Sequence, residues 1–176
     1  CWLRSTARHR PRRQLHRAVA EWYERAYTDE PWLYPLLAYH WSKAEVAERA
    51  LEYLEKAGLH ALGIYALREA RTMFSQAADL LGQTKAAQSG ALAQRGARLM
   101  RLLGETHHLL GEFATARVYF QDSLSRAEAA GDRAGLAEAL SRLGRLSTDM
   151  GNYAEARAQL EQSLELARAR GDLAGQ

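Results

Sequence analysis

The chain spells nearly the same words twice at one fixed distance. Residues 111–135 read GEFATARVYFQDSLSRAEAAGDRAG, and residues 151–175 read GNYAEARAQLEQSLELARARGDLAG, forty positions later with no gap. Over residues 101–135, fourteen of thirty-five positions are identical to those forty places on, among them Leu103/Leu143, Gly104/Gly144, Ala116/Ala156, Ser123/Ser163 and Asp132/Asp172. Self-similarity at such a period marks a repeat architecture, in which each unit leaves an apolar face that only a neighbouring unit can bury.

The repeating unit is a pair of helices. Met100, Leu103, His107 and Leu110 fall at helical spacing, Gly111 interrupts, and Phe113, Ala116, Phe120, Leu124 and Ala127 form a second stripe. Gly104 and Ala116 are small enough to let the two helices approach closely. Gly131 suits the left-handed residue that ends a helix, and Asp132 suits the cap of the next. No proline follows Pro35 to break a helix.

These residues resemble the tetratricopeptide repeat, whose skeleton is W-x2-L-G-x2-Y…A-x3-F. The chain supplies Met100-x2-Leu103-Gly104-x2-His107…Ala116-x3-Phe120, then Leu140-x2-Leu143-Gly144-x2-Ser147…Ala156-x3-Leu160. The Trp and Tyr positions depart from the pattern, while the small residues are kept. The resemblance implies an all-α, right-handed α-solenoid of antiparallel helix pairs, with about seven to eight helices. Earlier in the chain Gly58, Leu67, Ala70, Phe74 and Ala77 copy the spacing, which predicts helices near 45–63 and 66–82. Pro31 suits a first helical turn and opens a further helix to Lys43. Leu81–Ser89 reads as a short loop or a helix start. Residues 10–27 read as an amphipathic helix with Leu15, Val19 and Trp22 on its apolar face. The expected organisation is a basic helical lead-in (1–30), degenerate repeat-like helices (31–82) and two full units with the 40-residue period (83–176).

The order of the segments RRQLHRAVAEWYE, LLAYHWSKA, ALEYLEKAGLHAL and LREARTMFSQAADLL is also similar to the helical region that follows the ATPase core in bacterial STAND-type signalling ATPases. Some of those are fused to adenylyl cyclase or transcription-factor domains. The resemblance implies a piece of a larger protein, with an upstream ATPase or winged-helix domain in the same chain as one partner, and the single cysteine, Cys1, fits a reducing, cytoplasmic compartment.

Chemistry is sparse. There is no G-x-x-x-x-G-K-[ST] loop to cradle phosphate and no dinucleotide fingerprint. No H-x-x-x-H pair offers two imidazoles to one ion, and adjacent His107 and His108 point about 100° apart on a helix. No nucleophile elbow appears. The expectation is a non-enzyme with no cofactor and no metal. No apolar run of about 18 residues offers a membrane span.

Six arginines and no acid lie in residues 1–17, whereas the remainder carries 18 basic and 21 acidic residues. This leader is the alternative site, a contact with nucleic acid or another anionic surface; the competing reading is a solvated helix. Trp22, Tyr23, Tyr27, Trp32, Tyr34, Tyr39 and Trp41 read as core of the first helical layers.

In the resembled family the first helix of each repeat lines a concave groove for a protein or peptide partner. The residues there that packing does not need are Arg98, Arg101, Glu105 and His108 in one unit. In the next they are Glu138, Ser141, Arg145 and Thr148. Some members clamp a peptide carboxylate with lysine and asparagine. Here Glu105 and Arg145 stand where the asparagines would, so the resemblance does not extend to that clamp. The last unit leaves Tyr153 and Leu160 as an apolar edge, open to continuation or to self-association.

Overall fold

The computed structural model describes residues 3–83, 90–169 and 171. Among them every regular element is helical: α1 (Leu3–Ala26), a single 3-10 turn (Pro31–Leu33), α2 (Tyr34–Lys43), α3 (Ala47–Gly63), α4 (Leu67–Gln83), α5 (Gly90–Leu109), α6 (Phe113–Ala129), α7 (Arg133–Asp149) and α8 (Tyr153–Ala169). The chain forms two compact units, Cys1–Thr84 and Lys85–Gln176.

In the second unit α6 packs against both α5 and α7, and α7 packs against α8. Phe120 and Ala116 meet Leu143 and Leu146 in one buried cluster, with Phe113 and Leu124 against it. The close approach within each pair is set by glycine. A Cβ added at Gly104 would lie closer than 3.0 Å to the Phe120 ring, and one at Gly144 equally close to the Leu160 side chain. Ser123 and Ser163 do more than fill small slots. Each hydroxyl donates to a carbonyl of the preceding first helix, Ala97 at 2.8 Å and Ala137 at 2.7 Å. His107 takes the tyrosine position by stacking on Tyr119, with ring centroids 5.1 Å apart.

The helix ends are punctuated as the glycines predict. Gly111, Gly131, Gly151 and Gly171 all have positive φ. At the first three, paired backbone bonds close the helix in a Schellman motif, for example Glu112 N–H to the His107 carbonyl and Gly111 N–H to that of His108. Asp132 caps α7 by accepting from Gly135 N–H at 3.0 Å. The cap proposed at Asp172 lies outside the described residues, as do most of the Leu81–Ser89 segment (84–89) and Cys1.

The first unit repeats the same lock once, in α3 and α4: a Cβ on Gly58 would collide with the Phe74 ring, and Ala70 is buried beside it. Two sequence expectations fail here. The buried face of α1 centres on Ala20, with His16, Val19 and Tyr23 partly covered, while Leu15 and Trp22 are exposed. The physical reason is that the predicted stripe sits about one residue off the face that α2 covers, and Ala20 permits the closer approach. The aromatic cluster also divides. Tyr34 and Trp41 are buried, but Trp22, Tyr27, Trp32 and Tyr39 are exposed. The outer rings satisfy one another instead, Trp22 against Tyr23, Tyr23 against Tyr27, and Tyr27 against Trp32 at 4.9–6.1 Å.

Candidate functional site

Side chains of α5 and α7 line an open cavity of about 490 Å³. From α5 it takes Arg98, Arg101, Leu102 and Glu105; from α7, Glu138, Ser141, Arg142 and Arg145. Six of the eight residues expected at a groove are therefore brought together. Each set is spaced by three, four or seven residues, which keeps it on one helix face, and the turns at 110–112 and 130–132 bring α5 and α7 side by side across α6.

The other two residues go elsewhere. His108 turns its Nε2 to the Asp149 carboxylate at 2.6 Å and sets its ring edge-on to Phe113. Thr148 bonds back to the Gly144 carbonyl at 2.9 Å, one turn earlier on its own helix. Conversely, Arg142 and Leu102 belong to the wall and were missed. They are related by the forty-residue period, with a buried leucine in one unit and a half-exposed arginine in the next. An arginine in the slot of an apolar residue is the signal that could have found it.

Two ion pairs cross the cavity, Arg101 with Glu138 and Arg142 with Glu105, the latter at 3.3 Å. Arg101 is the most enclosed of the cations. Burial, followed by the neighbouring charges of Arg142 and Arg98, holds its guanidinium below the usual arginine range, against weaker opposing pulls from Glu105 and Asp132. Four guanidinium groups thus face two carboxylates in a partly desolvated wall. Such a surface can grip an anionic or hydrogen-bond-accepting group in a planar fork. Among the described residues no group of three or more His, Cys, Asp or Glu side chains could hold a metal ion. No helix there is long and apolar enough to cross a membrane.

The charged cluster of the first unit is closed on itself. Glu24 accepts from Trp41 Nε1 and from Arg49, each at 2.7 Å, and Arg49 also reaches Glu52. The guanidinium lies over the Trp41 and Tyr53 rings. Lys56 pairs with Asp29 at 2.9 Å, which holds that exposed carboxyl below the usual range. Burial, then the hydrogen bond to Glu24, pushes the Tyr53 hydroxyl up to about 12. In the arginine leader Arg13 pairs with Glu45 and Arg17 with Glu21. The side chains of Arg4, Arg8 and Arg10 lie outside the described residues.

Among curated proteins none matches the chain. Residues 95–169 match the family model of the tetratricopeptide repeat. That segment contains every cavity residue and both helix pairs of the second unit except the first five residues of α5. The match, the fold and the close contacts of Gly104 with Phe120 and Gly144 with Leu160 together support the tetratricopeptide repeat family for this part of the chain.

Proposed function

We propose that the chain is a protein-interaction scaffold that holds a segment of a partner protein in the α5–α7 cavity, with no chemical step. The observation that carries this reading is the divergence of the cavity wall from the repeat around it. Leu103/Leu143 and Gly104/Gly144 are identical across the period, whereas Arg98/Glu138 and Glu105/Arg145 carry opposite charges. Packing fixes the first set and leaves the second to be chosen by something else. Tetratricopeptide repeats are in general protein-binding modules.

The segment order of the first unit supports a finer assignment, in which this arm serves a larger cytoplasmic bacterial signalling ATPase, cyclase or transcription regulator. A phosphate-binding loop encoded upstream in the same reading frame tests that context. The nucleic-acid alternative is less well supported, because two of the leader arginines are engaged by Glu45 and Glu21. The test of the main reading is hydrogen exchange on the whole chain with a bound peptide selected from a random library. Protection is expected on α5 and α7 and should vanish when Ser141→Trp fills the cavity. Protection confined to α6 and α8 would sink the reading.

A further inference from the structure

The face of α1 turned away from α2 carries an apolar line between cations. Pro11, Leu15, Ala18, Trp22 and Arg25 follow at steps of four, three, four and three residues, which sets them on one side of the helix, and all five are exposed. Leu15 is 63% exposed and Trp22 53%. The line runs on into two further exposed rings: Trp22 meets Tyr27 edge-on at 6.3 Å, and Tyr27 meets Trp32 edge-on at 5.7 Å. Charge along the helix is of one sign. Residues 1–25 contain seven arginines and two glutamates. Both glutamates are already held, Glu21 by Arg17 and Glu24 by Arg49. Arg12 stands three residues before Leu15 and Arg25 three after Trp22, both exposed. Arg25 bonds through Nε to a neutral group, the Glu21 carbonyl at 3.0 Å, which leaves its charge uncompensated. At the turn beyond the helix Asp29 is paired with Lys56, and Glu30 precedes Pro31.

We propose that this face of α1 docks on an anionic lipid surface, lying in the plane of the interface. Leu15 and Trp22 enter the boundary between headgroups and acyl chains, Arg12 and Arg25 meet lipid phosphates on either side, and Tyr27 and Trp32 sit at headgroup level with their rings inward. Charge and apolarity choose this occupant together. A second copy of the chain would press two basic helices against each other, and like charge opposes that contact. A nucleic acid matches the arginines but gives Leu15 no hydrocarbon to enter. An anionic bilayer supplies phosphate and hydrocarbon at adjacent depths, in the order in which the helix presents its cations and its apolar line. This contact uses α1 alone and is separate from the α5–α7 cavity.

The test is co-flotation of the full chain with vesicles at low salt. One set is phosphatidylcholine alone, and the other contains about a third phosphatidylglycerol. An arginine near an anionic surface strengthens binding about fivefold, so the mixed vesicles should be preferred by at least about twenty-fivefold, and added salt should erode the preference. Arg12→Glu with Arg25→Glu should lower binding to the mixed vesicles by a similar factor. Leu15→Gln with Trp22→Gln should lower it by at least about tenfold, the loss expected when two side chains no longer leave water. Lipids brominated in the acyl chain should quench tryptophan emission of the bound chain, and Trp22→Phe should remove most of that quenching. Unchanged thermal unfolding certifies the fold of each variant; Leu15→Gln alone, at the more exposed position, repeats the test if the double variant unfolds. Equal binding to the two vesicle types overturns the proposal. Full binding by the Leu15 and Trp22 variants also overturns it, since the arginines would then be adsorbing without insertion. So does release of the chain from the mixed vesicles by duplex DNA at a comparable phosphate concentration, which would assign the basic face to nucleic acid.

Discussion

The α3–α4 pair of the first unit and the two pairs of the second are built around the same contact with different spelling. In each, a glycine on the first helix faces a large side chain sixteen residues later: Gly58 with Phe74, Gly104 with Phe120, Gly144 with Leu160. The turns between the helices share a backbone conformation too, yet Gly111 and Gly151 are replaced by Tyr65 in the first unit, still with positive φ. Ala66 N–H to the Ala61 carbonyl and Tyr65 N–H to that of Leu62 reproduce the Schellman bonds. A turn can therefore drift to an unfavourable residue while the steric lock stays. The lock is set by a few tenths of an ångström in a close-packed interior, whereas the turn costs at most about 1–2 kcal/mol per residue.

The comparison is broken most severely by removing the large partner of the lock. Phe74→Ala and Phe120→Ala each empty a fully buried site and should cost about 3–5 kcal/mol in urea unfolding. Leu160→Ala should cost far less, since Leu160 is 39% exposed where Phe120 is 0%. Equal losses at all three positions would mean that a lock is worth the same with or without a covering neighbour.

Adding the missing Cβ comes next. Gly58→Ala and Gly104→Ala drive a methyl into a ring that is itself fully buried and has nowhere to go, for an expected loss of about 1–3 kcal/mol. Gly144→Ala meets the branched end of a half-exposed leucine, which can swing aside, although the Ala156 carbonyl lies 3.2 Å away. Its loss should be the smallest of the three, read as the shift in thermal midpoint.

How far the sequence could be read follows the same division. Gly104, Ala116, Phe120, Gly131 and Asp132 disclose both helix pairs of the second unit, because there the lock, the turn and the cap all use their preferred residues. In the first unit only the lock does so. Tyr65 and Glu45 carry no hint of a left-handed backbone, and α1 presents Leu15 and Trp22 outward where a hydrophobic stripe predicts the reverse. The exposed Trp32, at 62%, lies beyond the reach of a composition argument, because rings that stack on one another need not be buried. At the cavity the i, i+3, i+7 rule reaches six residues and does not reach Arg142, which stands one position beside that face, next to Ser141.

A smaller effect sharpens the contrast between turns. Tyr65 is 75% exposed, so replacing it sacrifices little packing. Tyr65→Gly relieves the left-handed strain and should stabilise by up to about 1 kcal/mol, net of the added freedom of the unfolded chain. Gly111→Ala makes the opposite change at the matching turn and should destabilise by a similar amount. If Tyr65→Gly is destabilising, the tyrosine ring contributes more at that turn than its exposure indicates.

The histidines give the smallest and most selective difference. In the second unit both face carboxylates, His107 with Glu112 and His108 with Asp149. In the first unit two histidines face each other instead: His16 and His40 approach at 3.0 Å between their Nδ1 atoms, beside Tyr39, whose ring lies under Lys43. Two protonated rings cannot share that contact. Burial first, and then the charge of His16, lowers the His40 pKa from 6.5, so the folded unit takes up this proton less readily than the unfolded chain. Between 6.5 and the lower folded value the unfolded state binds more protons, and stability must rise with pH. The contribution is fully present above pH 6.5 and is lost as the pH falls below it. His40→Gln should flatten that part of the stability profile and leave the profile above pH 7 unchanged, as followed by urea unfolding across pH 5–8. A slope that survives the substitution would assign the proton uptake to another group and remove the α1–α2 histidine contact as its source.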